Sequence, residues 1–148
     1  MWLRKNVSCK RKFEVWTVKE EAQNPAFAYI AGRIDKMLVP TLLYFLANNP
    51  AHGYGLIQMV NESGFSEIEA DPATIYRNLR RMEEDGLVVS QWETENTGPA
   101  RRAYQLSPEG HQALAYCVQL INDKVIKMQA FLEQYQREVN ESWVISQP

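Results

Sequence analysis

From Asp35 onward the hydrophobic positions fall into a regular order. Leu38, Leu42, Phe45 and Leu46 recur at helical spacing, Pro40 falls where a first turn tolerates it, and Asn48-Asn49-Pro50 ends the helix. After a turn at Ala51-His52-Gly53, the segment Tyr54 to Asn61 carries Leu56, Ile57 and Val60 on one face and closes at Glu62-Ser63-Gly64. A third helix has the clearest start: Asp71 as cap, Pro72 at the first position, and no breaker between Ala73 and Gly86. Ile75, Leu79 and Met82 form its narrow apolar stripe. At about 100° per residue, Ala73, Arg77, Arg80 and Arg81 project from the opposite side, with Thr74 and Tyr76 on the flanks.

Two strand-like runs follow, Leu87 to Glu93 and Arg101 to Leu106, joined through a tip from Thr94 to Ala100 with Gly98-Pro99 as its turn. Ser107 and Pro108 then open a last helix in which Leu114, Val118, Ile121, Val125, Met128, Leu132, Tyr135 and Val139 alternate in steps of four and three. From Pro108 to Val139 such a helix reaches about 48 Å, more than a domain of this size is wide, so it must find a partner beyond its own core. Residues 1–35 show no comparable period. Trp16 and its apolar neighbours argue for some docking, but a flexible or loosely docked arm is the expectation for this segment.

Three helices and then a hairpin predict a mainly α fold with a small β-hairpin: a winged helix-turn-helix plus a long C-terminal dimerisation helix. The expected division is a basic N-terminal extension over 1–35, a winged helix-turn-helix over 36–107, and a dimerisation helix and tail over 108–148. In such a unit the third helix enters the DNA major groove and the hairpin tip meets the adjacent backbone. Thr74, Arg77 and Asn78 lie in the first two turns, where base edges are reached. Arg80, Arg81, Arg101 and Arg102 are better matched to phosphates. The plainer alternative is a solvated helix face, since Arg80 with Glu84 and Arg81 with Asp85 are i,i+4 pairs.

Charge sharpens this picture only when it is resolved along the chain. The 148 residues carry 16 Lys and Arg against 18 Asp and Glu, a net charge of −2, and 45% are hydrophobic. That excludes both a uniformly basic coat and an acidic disordered tail. Six basic residues lie in 1–20 (Arg4, Lys5, Lys10, Arg11, Lys12 and Lys19) against Glu14 and Glu20, so the rest of the chain is acidic and its DNA-binding basicity must be local. The Met1–Lys12 arm is a further candidate to reach along DNA. No run approaches the roughly 18 apolar residues of a membrane span. Cys9 and Cys117 lack metal or redox spacing and are expected to be free thiols, so a cytoplasmic protein without membrane attachment is expected.

Three motifs in order carry a specific resemblance: His52-Gly53-Tyr54, then Asp71-Pro72-Ala73-Thr74-Ile75-Tyr76-Arg77-Asn78-Leu79-Arg80-Arg81-Met82-Glu83, then Gly98-Pro99-Ala100-Arg101-Arg102-Ala103-Tyr104-Gln105-Leu106-Ser107-Pro108-Glu109-Gly110. Over about residues 37–110 the chain resembles the PadR family of bacterial transcriptional regulators, of the subgroup with a single C-terminal helix. The resemblance implies a homodimeric, ligand-responsive repressor in which two recognition helices read an inverted repeat in double-stranded DNA. Carried onto this chain, the DNA-contacting positions are Thr74, Tyr76 and Arg77, with Arg80 and the wing arginines. It also implies a small hydrophobic or phenolic effector near the last helix, and Trp92-Glu93-Thr94 before Gly98-Pro99-Ala100, with the aromatic-containing last helix, resembles polyhydroxybutyrate-responsive members. Tyr116, Phe131, Tyr135 and Trp143 are the aromatic candidates for such a place; the competing reading makes them core and seam residues, and is preferred for Tyr135.

Enzyme chemistry finds no support. His52 and His111 are the only imidazoles, no nucleophile, base and acid cluster locally, no phosphate-binding glycine motif occurs, and the Cys and His residues lack metal-ligand spacing, so neither metal nor cofactor is expected. The rival class is a winged-helix protein-interaction module without DNA binding, which would use the hairpin and last helix as its surface.

Overall fold

The structure, a computed structural model, describes residues 23–94 and 98–145, with side chains described as far as residue 141. Its elements run α1 (Pro25–Ala31), a 3-10 turn (Ile34–Lys36), α2 (Leu38–Asn48), β1 (Ala51–His52), α3 (Gly53–Ser63), α4 (Pro72–Glu84), β2 (Val88–Glu93), β3 (Arg101–Leu106) and α5 (Pro108–Ile145). The predicted third helix is α4. Pro40 lies in the first turn of α2, as its geometry requires.

β2 and β3 form the predicted hairpin in antiparallel register, from Val88 opposite Leu106 to Glu93 opposite Arg101. The sheet has a third strand, however. Ala51 and His52, read from sequence as a turn, pair with Tyr104 and Ala103, giving the order β1-β3-β2. Two residues are too short for an alternating pattern to register, and their pairing depends on a strand fifty positions away.

One core joins all the helices. Ile30 of α1, Leu42, Leu43 and Leu46 of α2, Leu56 and Val60 of α3, and Ile75, Leu79 and Met82 of α4 are buried together. Val88, Tyr104 and Leu106 come from the sheet, and Ala113, Tyr116 and Cys117 from the first turns of α5. Burial pushes the Cys117 thiol up to about 12, so it is a protonated packing group rather than a nucleophile. Cys9 and the Met1–Lys12 arm lie outside the described residues.

The expectation of a loose arm over 1–35 fails for its last third. Asn24 caps α1 by accepting from the Ala26 N–H at 2.9 Å, Pro25 occupies its first turn, and Phe27 meets Tyr116 of α5 edge-to-face with centroids 5.1 Å apart. The apolar face of this seven-residue helix is short, which is why periodicity alone did not single it out.

The joint between the sheet and α5 is tight. Ser107 Oγ accepts from the Gly110 N–H at 3.0 Å and donates to the Gly86 carbonyl at 2.6 Å, while the Ser107 N–H bonds the Leu87 carbonyl. Gly110 lies so close that a Cβ there would overlap the Leu87 carbonyl oxygen. Gly→Ala inside a helix ordinarily stabilises by about 1 kcal/mol, but forcing a methyl onto a backbone carbonyl costs about 1–3 kcal/mol. Gly110→Ala is therefore expected to lower the melting temperature followed by circular dichroism; an unchanged or raised value contradicts this account of the joint.

Candidate nucleic-acid interface

The site is built on α4. The Asp71 carboxylate accepts from the Thr74 N–H at 3.0 Å, and Pro72 sets the first turn. Ile75, Leu79 and Met82 are fully buried. Each contributes about 1.5–3 kcal/mol by burial, against about 0.3–0.5 kcal/mol for an exposed i,i+4 ion pair, so packing rather than charge pairing fixes the rotation of α4. Ala73, Arg77, Arg80 and Arg81 consequently face solvent.

The Tyr76 ring occupies the space that a Cβ on Gly53 would need, which holds the start of α3 against the first turns of α4. Gly53 of the His52-Gly53-Tyr54 motif thus has a steric reason.

The candidate residues separate into two banks with α4 as the ridge between them. Tyr76, Arg80, Arg101 and Arg102 line a groove of about 840 Å³ between α4 and the wing, together with Tyr54 and Trp92. Those two aromatics, 77% and 66% exposed, were not singled out from sequence as contact residues. Thr74, Arg77, Asn78 and Arg81 line a second cleft of about 660 Å³ toward α1, shared with Tyr29, Arg33 and Lys36.

Some candidates are already engaged. Asn78, expected near base edges, is buried: its side chain donates to the Thr74 carbonyl at 2.8 Å and accepts from the Tyr29 hydroxyl at 3.1 Å. Arg102 is half-buried, donating to both Glu83 carboxylate oxygens at 2.7 and 2.9 Å and to Ser90 Oγ at 2.8 Å. It ties the wing to α4, while Arg101 beside it stays exposed. Arg77 reaches back to Thr74 Oγ1 at 3.3 Å. Arg81 pairs with Asp85 at 2.9 Å, but the corresponding Arg80–Glu84 ion pair does not form among the described residues. At the base of the tip, His52 Nε2 and Glu93 Oε2 lie 2.9 Å apart.

The last helix presents two faces. Ala113, Tyr116, Cys117 and Leu120 pack on the domain, and Lys124 on the same side pairs with Asp35. The predicted seam lies about 100° away around the helix. There Leu114 packs partly against the domain core and Ile121 is half-buried, while Val118, Val125, Met128, Leu132 and Tyr135 are exposed, each more than half accessible. Tyr116 is a core residue against Phe27, and Phe131 is 70% exposed. The Trp143 side chain and the tip residues 95–97 lie outside the description. Among the described residues no helix is long and apolar enough to cross a membrane, and no cluster of three or more His, Cys, Asp or Glu is placed to hold a metal.

Residues 42–116 match the model of the transcriptional regulator PadR-like family. Over 73 residues the chain is 38% identical to Transcriptional regulator Rv3488 of Mycobacterium tuberculosis, a match covering 49% of this chain and 64% of that protein's length. Among solved structures, a conserved protein of unknown function, TM0937, described as a potential transcriptional factor, is similar with a TM-score of 0.62 and 30% identity. That likeness covers 70% of this chain and 90% of the other. A PadR family transcription regulator from hypervirulent Clostridium difficile R20291 is similar with a TM-score of 0.58 and 28% identity, over 65% of this chain and 98% of that one.

The cap gives a pH-dependent test of the local structure. Hydrogen bonds from the Thr74 hydroxyl and N–H hold the Asp71 carboxyl below its ordinary 3.8. A carboxyl whose folded value is depressed stabilises fully above the unfolded value and loses that contribution as pH falls through the folded one. The melting temperature of Asp71→Ala should therefore fall below wild type at pH 7, and the gap should close below pH 3.8. A gap of constant size across that range would show that the charged cap is not its source.

Proposed function

Because the chain belongs to the PadR-like family of transcriptional regulators, we propose that it is a sequence-specific DNA-binding repressor acting in the cytoplasm as a homodimer on an inverted-repeat operator. The observation that carries this reading is the rotation of α4: its buried stripe turns Arg77, Arg80 and Arg81 outward together, from a helix whose N-terminal turn is capped and open. A helix of this kind fits the major groove. Thr74, Tyr76 and Arg77 are assigned to base edges, Arg80, Arg81 and Arg101 to phosphates, and Arg102 to holding the wing that carries Arg101. Asn78 acts from within, through Tyr29 and the Thr74 carbonyl, and so positions rather than reads.

The assembly follows from α5. Five large apolar side chains at heptad spacing stand exposed along a face separate from the one packed on the domain. A second copy laid along that seam would bury them and set two α4 helices about a two-fold axis, which is what an inverted repeat demands. Residues 36–107 then read DNA and 108–148 assemble the dimer. A small hydrophobic or phenolic effector would act near α5, where Phe131 stands exposed in line with the core face beyond Lys124 while Tyr135 belongs to the seam. Use of the same surfaces as a protein-interaction module without DNA is the second reading, favoured by the exposure of Tyr54 and Trp92.

Selection of bound duplexes from a random DNA pool at fixed salt separates the two. An inverted repeat is expected; recovery of no preferred sequence, with binding insensitive to salt between about 50 and 200 mM, supports the module instead. Arg77→Ala should abolish preference for the recovered sequence while leaving the elution volume unchanged, and equal affinity in fluorescence anisotropy would remove Arg77 from the reading set. Introducing Glu at Ile121 and Val125 should convert the dimer to monomer in sedimentation, and a dimeric profile from that variant would place the interface elsewhere.

A further inference from the structure

The predicted recognition unit is complete without α1, yet α1 and the 3-10 turn form one bank of the second cleft beside α4. The Tyr29 hydroxyl is fixed on Asn78 of α4. The Arg33 guanidinium stacks on the Tyr29 ring, 3.9 Å from its centroid, and the Arg81 guanidinium lies 5.3 Å from the same centroid. One aromatic side chain thus orders an arginine from each bank.

The cleft between them, lined in part by Arg33, Lys36, Arg77 and Arg81, contains a single acidic residue among the described residues, Asp35. That carboxylate is paired with Lys124 of α5. Asp85, the neighbouring acid on α4, is engaged by Arg81 through Nε, which leaves the terminal amines of Arg81 outside that bond. Arg33 and Lys36 are exposed and form no ion pair among the described residues. Glu67 and Glu69 line a neighbouring cleft with Val60 and Asn61; the Glu67 N–H bonds the Lys36 carbonyl at 3.3 Å, and neither carboxylate forms an ion pair with Lys36 among the described residues.

We infer that Arg33 and Lys36 are DNA-backbone contacts: the turn after α1 forms a second basic bank that takes phosphates flanking the groove entered by α4. This rests on the DNA-binding reading and extends it to residues that precede the matched family segment. Charge complementarity and continuity with Thr74 and Arg77 on the facing bank carry it. Lys and Arg contacts of this kind position a protein without reading sequence. Holding Arg33 on the Tyr29 ring beforehand reduces the ordering entropy the contact costs. Asn78 acts here as a positioning residue.

Binding of the full chain to a fluorescein-labelled 30-base-pair duplex of fixed mixed sequence, titrated from 50 to 200 mM KCl, tests it. Each lost phosphate contact makes the slope of log affinity against log salt shallower by about 0.9, so the double variant R33Q/K36Q should lose about 1.8 per bound subunit. Its circular dichroism melt should match wild type. Arg33→Lys keeps the charge and should retain the wild-type slope. An unchanged slope in R33Q/K36Q overturns the inference while wild-type binding leaves the DNA reading standing, and an Arg33→Lys variant whose slope is shallower than wild type by about 0.9, as one lost contact costs, also overturns it. Wild type that fails to bind the duplex at 50 mM overturns both.

Discussion

The rotation of α4 about its own axis is the constraint on which the rest of the site depends. Three side chains, Ile75, Leu79 and Met82, set it from inside. Two contacts reinforce it from the flanks: the Tyr76 ring against Gly53, and the Arg102–Glu83–Ser90 network that ties the wing to the last turns of the helix. A turn of one residue, about 100°, would bury an arginine and expose an isoleucine. The outward arginines are therefore ordered by hydrophobic packing, and their surface needs no net basic charge in the chain as a whole. A net charge of −2 is compatible with a basic ridge because three of the acids beside it are engaged, Asp71 as a cap, Asp85 with Arg81 and Glu83 with Arg102, which leaves exposed Glu84 as the acid of α4 without an ion pair among the described residues.

The same logic governs α5, with the opposite outcome. Its 38 residues span about 57 Å, and only its first turns lie against the domain. Beyond Lys124 nothing in the chain covers it among the described residues. Because the core face and the heptad face are about 100° apart, the helix can complete its own domain and still offer the seam to another chain. Either face alone would be an ordinary amphipathic helix; the two together account for an apolar pattern wider than one stripe.

How much of this was legible in the sequence depended on how local its cause was. The caps at Asp71 and Ser107 and the stripe of α4 rest on neighbours within four residues, and all appear where the pattern put them. The pair Asn24-Pro25 is the same start signal as Asp71-Pro72 and Ser107-Pro108, so α1 was open to the same reasoning; its seven residues simply carry too few apolar positions for a period. β1 was not legible in this way, since its partner strand is remote. Asn78 lies at the edge of the buried stripe on helical geometry, and its polar type argued outward. What turned it inward is Tyr29, forty-nine residues earlier, which no local pattern predicts.

That remote contact has a mechanical counterpart at the other end of α4. The Gly86-Leu87 turn that leaves the helix supplies both carbonyls that anchor Ser107, and the Leu87 carbonyl also touches the first turn of α5 at Gly110. With no side chain at Gly110 and two hydrogen bonds across the joint, there is little slack for α5 to turn without carrying the 86–87 turn with it. The turn in turn is held to α4, through the Gly86 N–H on the Glu83 carbonyl and the Leu87 N–H on the Met82 carbonyl. Glu83 is also the residue that grips Arg102 of the wing. The joint therefore ties α5, the 86–87 turn, α4 and the wing together through hydrogen bonds and close packing rather than through a free linker.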